Sequence, residues 1–121
     1  MADINVSHSN IRASRVNGTT VYNTAGEQLG TVEDVVIGKR DGKVKYAIMS
    51  FGGFLGIGEE YHPLPWDTLD YDTQKDGYTV SVTREQLEGG PRYDTSNEPD
   101  WEDEAYHRSL YSHYGLTYPA I

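Results

Sequence analysis

Residues 26–37 read Gly-Glu-Gln-Leu-Gly-Thr-Val-Glu-Asp-Val-Val-Ile, and residues 40–51 read Arg-Asp-Gly-Lys-Val-Lys-Tyr-Ala-Ile-Met-Ser-Phe. A glycine turn runs into a strand rich in β-branched residues, which fit a pleated surface. Asp41-Gly42 then supplies the positive φ of a primed hairpin turn, and a second strand follows. This turn-strand-turn-strand block predicts a small, tightly curved β domain. The consecutive Val35 and Val36 predict burial on both faces or a bulge. In the second strand Val44, Tyr46 and Ile48 share one face, and Lys45, Ala47, Met49 and Phe51 share the other. Its charged start and apolar end predict a strand that passes from solvent into a core.

Upstream, residues 19–22 form a short strand and residues 23–26 a turn. Residues 1–17 are polar and aperiodic, a flexible arm with Ile11 and Val16 as anchors. Downstream, residues 52–58 form a glycine-rich connection containing Phe54, Leu55 and Ile57. The strand returning over residues 59–64 is confined to an edge or a bulge by Pro63 and Pro65. Asp76-Gly77 marks another hairpin. Thr83 with Gln86 three residues later spells a capping box for a short helical turn. A longer helix is predicted over residues 101–114, with Asp100 as N-cap and Gly115 as the left-handed stop. Tyr106, Leu110 and Tyr114 recur on one face of it. The division expected is an arm over residues 1–17, a barrel over 18–92, and a linker, helix and tail over 93–121.

Length and charge narrow the function. A chain of 121 residues holds one domain with tails. A net charge of −9 repels phosphate backbones and anionic lipid, so neither nucleic acid nor a membrane is an expected partner. With no cysteine, disulfides, thiolate chemistry and Cys-ligated metals are excluded. The start has no basic segment and no apolar run, and the longest apolar stretches are a few residues. A soluble cytoplasmic protein is expected. Ten tyrosines against two Trp and two Phe predict an amphipathic core or an interface.

The chemical motifs fail on inspection. Glu59 and Glu60 follow the glycine-rich connection where a phosphate loop needs Lys and Ser or Thr. His107 and His113 are six apart, not the i, i+4 of a helical metal pair, and no calcium-loop spacing is present. No Gly-x-Ser-x-Gly elbow occurs. The basic residues Lys39, Arg40, Lys43 and Lys45 cluster on one hairpin, as a solvated turn or as a contact for an acidic partner. No enzyme, cofactor or metal is expected.

Taken in order, several segments resemble the PRC-barrel family. They are Val21-Tyr-Asn-x-x-Gly26, Leu29-Gly-Thr-Val-x-Asp-Val-Val-Ile37, Gly42-Lys-Val-Lys-Tyr-Ala-Ile48 and the glycines of 52–58. Pro63-Leu-Pro-Trp66-x-x-Leu69, Tyr78-Thr-Val-Ser-Val-Thr-Arg-Glu-Gln-Leu87 and Pro91 complete the set. The resemblance implies a mainly β fold: a small, strongly bent antiparallel β barrel, here with a C-terminal helix. The family's domain occurs in the cytoplasmic part of the photosynthetic reaction centre H subunit and in one half of a ribosome-maturation factor, as a docking module. Neither the membrane helix of the first nor the N-terminal domain of the second is seen here. The chain therefore resembles a free-standing bacterial member.

The function expected is a non-enzymatic adaptor for protein–protein interaction. Phe54, Leu55 and Ile57 form one contact surface, and Tyr106, Leu110 and Tyr114 form another that serves a homodimer. The rival expectations are a ribosome-maturation or photosynthetic-complex factor and a small-ligand or metal-binding sensor.

Overall fold

The computed structural model describes residues 10–51, 60–94 and 96–118. The strands are β1 (Thr20–Tyr22), β2 (Gln28–Ile37), β3 (Val44–Phe51), β4 (Tyr61–Pro65), β5 (Leu69–Asp72) and β6 (Gly77–Val80). The helices are α1 (Ala13–Val16), α2 (Arg84–Glu88) and α3 (Glu104–His113). The strands form one curled six-stranded sheet in the order β4-β3-β2-β1-β6-β5. Its class is mainly β, as expected, and the small bent barrel takes the form of a curled half-barrel sheet. The β2–β3, β3–β4, β5–β6 and β1–β2 pairings are antiparallel, whereas β1 and β6 run parallel. That parallel pairing joins the two ends of the domain's chain.

Two bulges interrupt β2 against β3, between Val32 and Asp34 and between Val36 and Ile37. They bend the longest hairpin and increase its twist. At Gly30 the backbones of β2 and β3 nearly touch: a Cβ there would lie 2.0 Å from the Ser50 carbonyl oxygen. The β2–β3 turn differs from the primed one expected. Only Gly42, not Asp41, has positive φ (72°), and the loop closes through Gly42 N–H to the Gly38 carbonyl and Gly38 N–H to the Lys43 carbonyl. The Asp41 carboxylate holds it by accepting from the Lys43 amide at 2.9 Å and from Lys45 Nζ at 2.8 Å.

Residues paired across an antiparallel ladder share a face. Val32, Met49 and His62 therefore line one face, as do Val35, Ala47 and Leu64, and this face turns into the curl. The other face carries Tyr46 with Pro65 and Ile48 with Pro63. Tyr46, Ala47, Ile48 and Met49 are all buried, because the C-terminal segment covers the second face. Pro63 and Pro65 lie in β4, an edge strand, as their missing amides require.

The helices follow their caps. Thr83 and Gln86 form the reciprocal capping box at α2. The N-cap of α3 is Asp103, three residues later than expected, since the Asp103 carboxylate accepts from the Ala105 and Tyr106 amides. Asp100 instead accepts from the Glu102 amide in the preceding turn. Gly115 has the expected positive φ, 72°. At the other end, α1 lies within the stretch predicted as an arm. Its Val16 is 5% exposed, but Ile11 is 47% exposed and anchors nothing among the described residues. Residues 1–9 and the 52–59 connection are outside the described residues.

Replacing Gly30 by Ala forces the β2 and β3 backbones apart and costs about 2–3 kcal/mol. Gly42→Ala meets nothing within 4 Å and pays only the left-handed strain, about 1 kcal/mol. Urea unfolding of both variants checks the ranking.

Candidate functional site

Among the described residues the inside of the curl is filled by side chains. Val21, Val32, Ala47, Met49, Leu64 and Val80 are each 0% exposed. Trp66 packs edge-on against Tyr78 at 5.5 Å, and Tyr78 in turn against Tyr71 at 5.2 Å, so aromatic rings close one end of the sheet.

The outer covering is an aromatic lattice. Tyr46 stacks on His107 at 5.3 Å and meets Trp101 and Tyr111 at 6.0 and 6.2 Å. Tyr118 stacks on His107 and meets Tyr111 edge-on. Tyr93 pairs with Tyr61 through reciprocal backbone hydrogen bonds of 2.8 and 3.0 Å, which lays the start of this segment along the β4 edge. The Arg92–Glu60 ion pair, 3.3 Å, fastens the same place. His107 has a defined tautomer. Its Nε2 lies 2.6 Å from the Trp101 carbonyl oxygen, which can only accept, so Nε2 carries the proton. Nδ1 then accepts from the Tyr46 hydroxyl at 2.5 Å.

The stripe Tyr106, Leu110 and Tyr114 is turned inward. Leu110 is fully buried, Tyr114 is nearly so, and Tyr106 is half-buried against the core. Burying Leu110 alone contributes about 2 kcal/mol. This stripe, expected at a homodimer interface, is thus spent within the chain. Phe54, Leu55 and Ile57 lie outside the described residues.

The remaining polar candidates have structural partners. His113 Nε2 donates to the Gln86 carbonyl at 2.8 Å and ties α3 to α2. His62 is buried on the inner face, and burial pushes its imidazole below the ordinary range, with Arg92 adding to the effect. Asp72 accepts from the Gln74 and Lys75 amides in the β5–β6 turn. Among the described residues no group of three His, Asp or Glu is placed to hold a metal ion, and no helix is long and apolar enough to cross a membrane. An open polar cleft lies between the β1–β2 turn and the start of α2, lined by Asn23, Thr24, Glu27, Thr83 and Arg84. Arg84 spans it to Glu27 at 3.6 Å.

Two features escaped the sequence reading. The aromatic lattice was signalled only by the tyrosine excess. The second is a polar cluster on the outer face: Ser50 donates to the Glu33 carboxylate at 2.9 Å, and Thr31 lies within 3.1 Å of the same oxygen. The bulge that brings Glu33 alongside Thr31 has no sequence signature.

Burial raises the phenols of this covering. The Tyr93 hydroxyl is pushed up to about 12 from 10.0, first by burial and then by the neighbouring Glu98 carboxylate. Burial raises Tyr46 and Tyr114 further, and Tyr106 and Tyr111 in the same direction. Above pH 10 the unfolded chain therefore releases tyrosine protons that the folded chain keeps. Stability is fully present below 10 and falls as pH rises through 12. Urea unfolding at pH 9 and pH 11 is expected to show this loss, and Tyr93→Phe to make it smaller.

A family model described as PRC-barrel domain matches residues 8–87. The match takes in the whole six-stranded sheet and ends at Leu87 in α2, so the aromatic covering segment lies beyond it. No curated protein matches the chain.

Proposed function

Because the chain belongs to the PRC-barrel family, whose domain is known as a protein-interaction module, we propose that it is a non-enzymatic docking protein that works through its outer surface. One observation carries the reading: the inside of the curl is filled by side chains with no exposure, Val21, Val32, Met49 and Leu64 among them. A sheet this small has no room for a ligand once its own residues fill it. Several polar side chains outside it serve caps, turns and ion pairs, among them Thr83, Asp72 and Arg92. Recognition then depends on exposed loops and edges carried by a rigid scaffold.

The contact residues assigned to the partner are Phe54, Leu55 and Ile57. In the sequence they fall between β3 and β4. Three apolar side chains spaced by glycines supply the anchor such a contact needs. The partner is a protein; the acidic surface disfavours nucleic acid and anionic lipid. The compartment in which it works is the cytoplasm.

The test is recovery of a partner on immobilised protein, with the Phe54→Ser/Leu55→Ser variant alongside. Recovery is expected to fall about tenfold, the loss that ~1.4 kcal/mol of contact energy represents, at an unchanged melting temperature. Undiminished recovery by the variant rejects this contact surface. An increase in melting temperature with a small molecule or metal ion rejects the docking reading itself.

A further inference from the structure

The edge of β2 is only half covered. β1 accompanies β2 from Gln28 to Thr31, and two further backbone bonds, Val32 N–H to the Thr19 carbonyl and Gly18 N–H to the Val32 carbonyl, end the contact. From Glu33 to Ile37 the strand has β3 on one side and, among the described residues, no strand on the other. Such an edge presents amides and carbonyls that another strand can pair with.

The sequence along this edge and into the turn that follows it is Glu33-Asp-Val-Val-Ile-Gly-Lys-Arg40, with β2 ending at Ile37. Two acids open the edge, three β-branched apolar residues complete it, and two cations stand in the turn just beyond. A second copy running antiparallel brings the acid end of one strand towards the cation end of the other. Lys39 and Arg40 are exposed and take part in none of the ion pairs among the described residues. Ile37 is 46% exposed, one of the few large apolar side chains left outside.

We propose that this edge is a self-association site, at which a second copy of the chain adds its own β2 antiparallel about a two-fold axis at Val36. In that register Val36 faces the partner's Val36, and Ile37 faces the partner's Val35. Glu33 then stands opposite the partner's Lys39, and Asp34, opposite the partner's Gly38, is a diagonal neighbour of the partner's Arg40. The interface is the same patch on both copies, as a two-fold dimer requires, and its mode is strand addition. Opposite charges facing across strands favour this register, and a parallel one would set like against like. In the single chain Asp34 Oδ1 accepts from the Val35 amide at 2.8 Å, and the Glu33 carboxylate accepts from Ser50 and Thr31; pairing competes with these bonds, so the association is weak and reversible. The net charge of −9 opposes it only at longer range, because exposed charges are screened beyond about 8 Å at physiological ionic strength. This inference does not depend on the docking function.

Sedimentation of the full chain across a range of concentrations is the test. The mass is expected to rise from one chain towards two with concentration and to fall back in high salt. Lys39→Glu/Arg40→Glu and Glu33→Lys/Asp34→Lys are each expected to weaken the dimer about tenfold or more, since each sets like charges face to face. Their equimolar mixture is expected to restore it, because every facing pair is then opposite in sign. Circular dichroism and melting temperature confirm that both variants are folded. A wild-type chain that stays monomeric overturns the proposal. So does a dimer indifferent to both variants, or a mixture that fails to reassemble.

Discussion

The curl of the sheet rests on two places where one backbone meets another with no space for a side chain. At Gly30 a Cβ would reach to 2.0 Å from the Ser50 carbonyl, and at Gly77 to 2.6 Å from the Thr20 carbonyl. The two sites lie on either side of the β1–β2 pair. One brings β3 down onto β2, and the other seats β6 beside β1. Glycine inside a strand ordinarily weakens it, and its use here marks backbone approach. Were either contact opened, the parallel β1–β6 pairing and the filled interior would both lose their geometry.

Once the sheet curls, its two faces have different fates. The concave face is closed by its own residues, from Val21 to Val80. The convex face of β3 and β4 is apolar too and needs a cover, which residues 93–118 provide. Tyr93 adds to the edge of β4, Tyr46 takes His107 and Trp101, and Leu110 enters the core. The family match ends before this cover begins. The cover therefore lies outside the stretch of chain that the family match spans. Tyrosine supplies the ring area of the cover, and the Tyr46 hydroxyl meets His107, whereas the Tyr106 and Tyr114 hydroxyls are buried with no hydrogen-bond partner among the described residues. The same burial raises the phenols and makes the cover sensitive to alkali.

Much of the fold was legible. The hairpin strands, the capping box at Thr83, the stop at Gly115 and the edge position of the proline strand all follow from local chemistry. A cap needs only the side chain and amides three residues apart, and a proline lacks its amide wherever it sits. The covering segment with its helix α3 was half legible. The Tyr106, Leu110 and Tyr114 stripe was visible as an apolar face, but what it faced was not. An amphipathic stripe has the same pattern whether it packs on its own sheet or on another molecule.

What the sequence by itself determined is therefore the set of elements, their turns and the acidic, cysteine-free character of the surface. These depend on interactions between residues a few positions apart, or on composition alone. Only the tertiary structure decided that β1 runs parallel to β6, that Asp103 and not Asp100 caps the last helix, and that Glu33 joins Thr31 and Ser50. It also decided which stretch of β2 remains without a neighbour. Each of these depends on residues far apart in the chain meeting through a bulge or a curl. Those meetings are set by the packing of the whole sheet, where neighbouring solutions differ by a few kcal/mol that no local pattern carries.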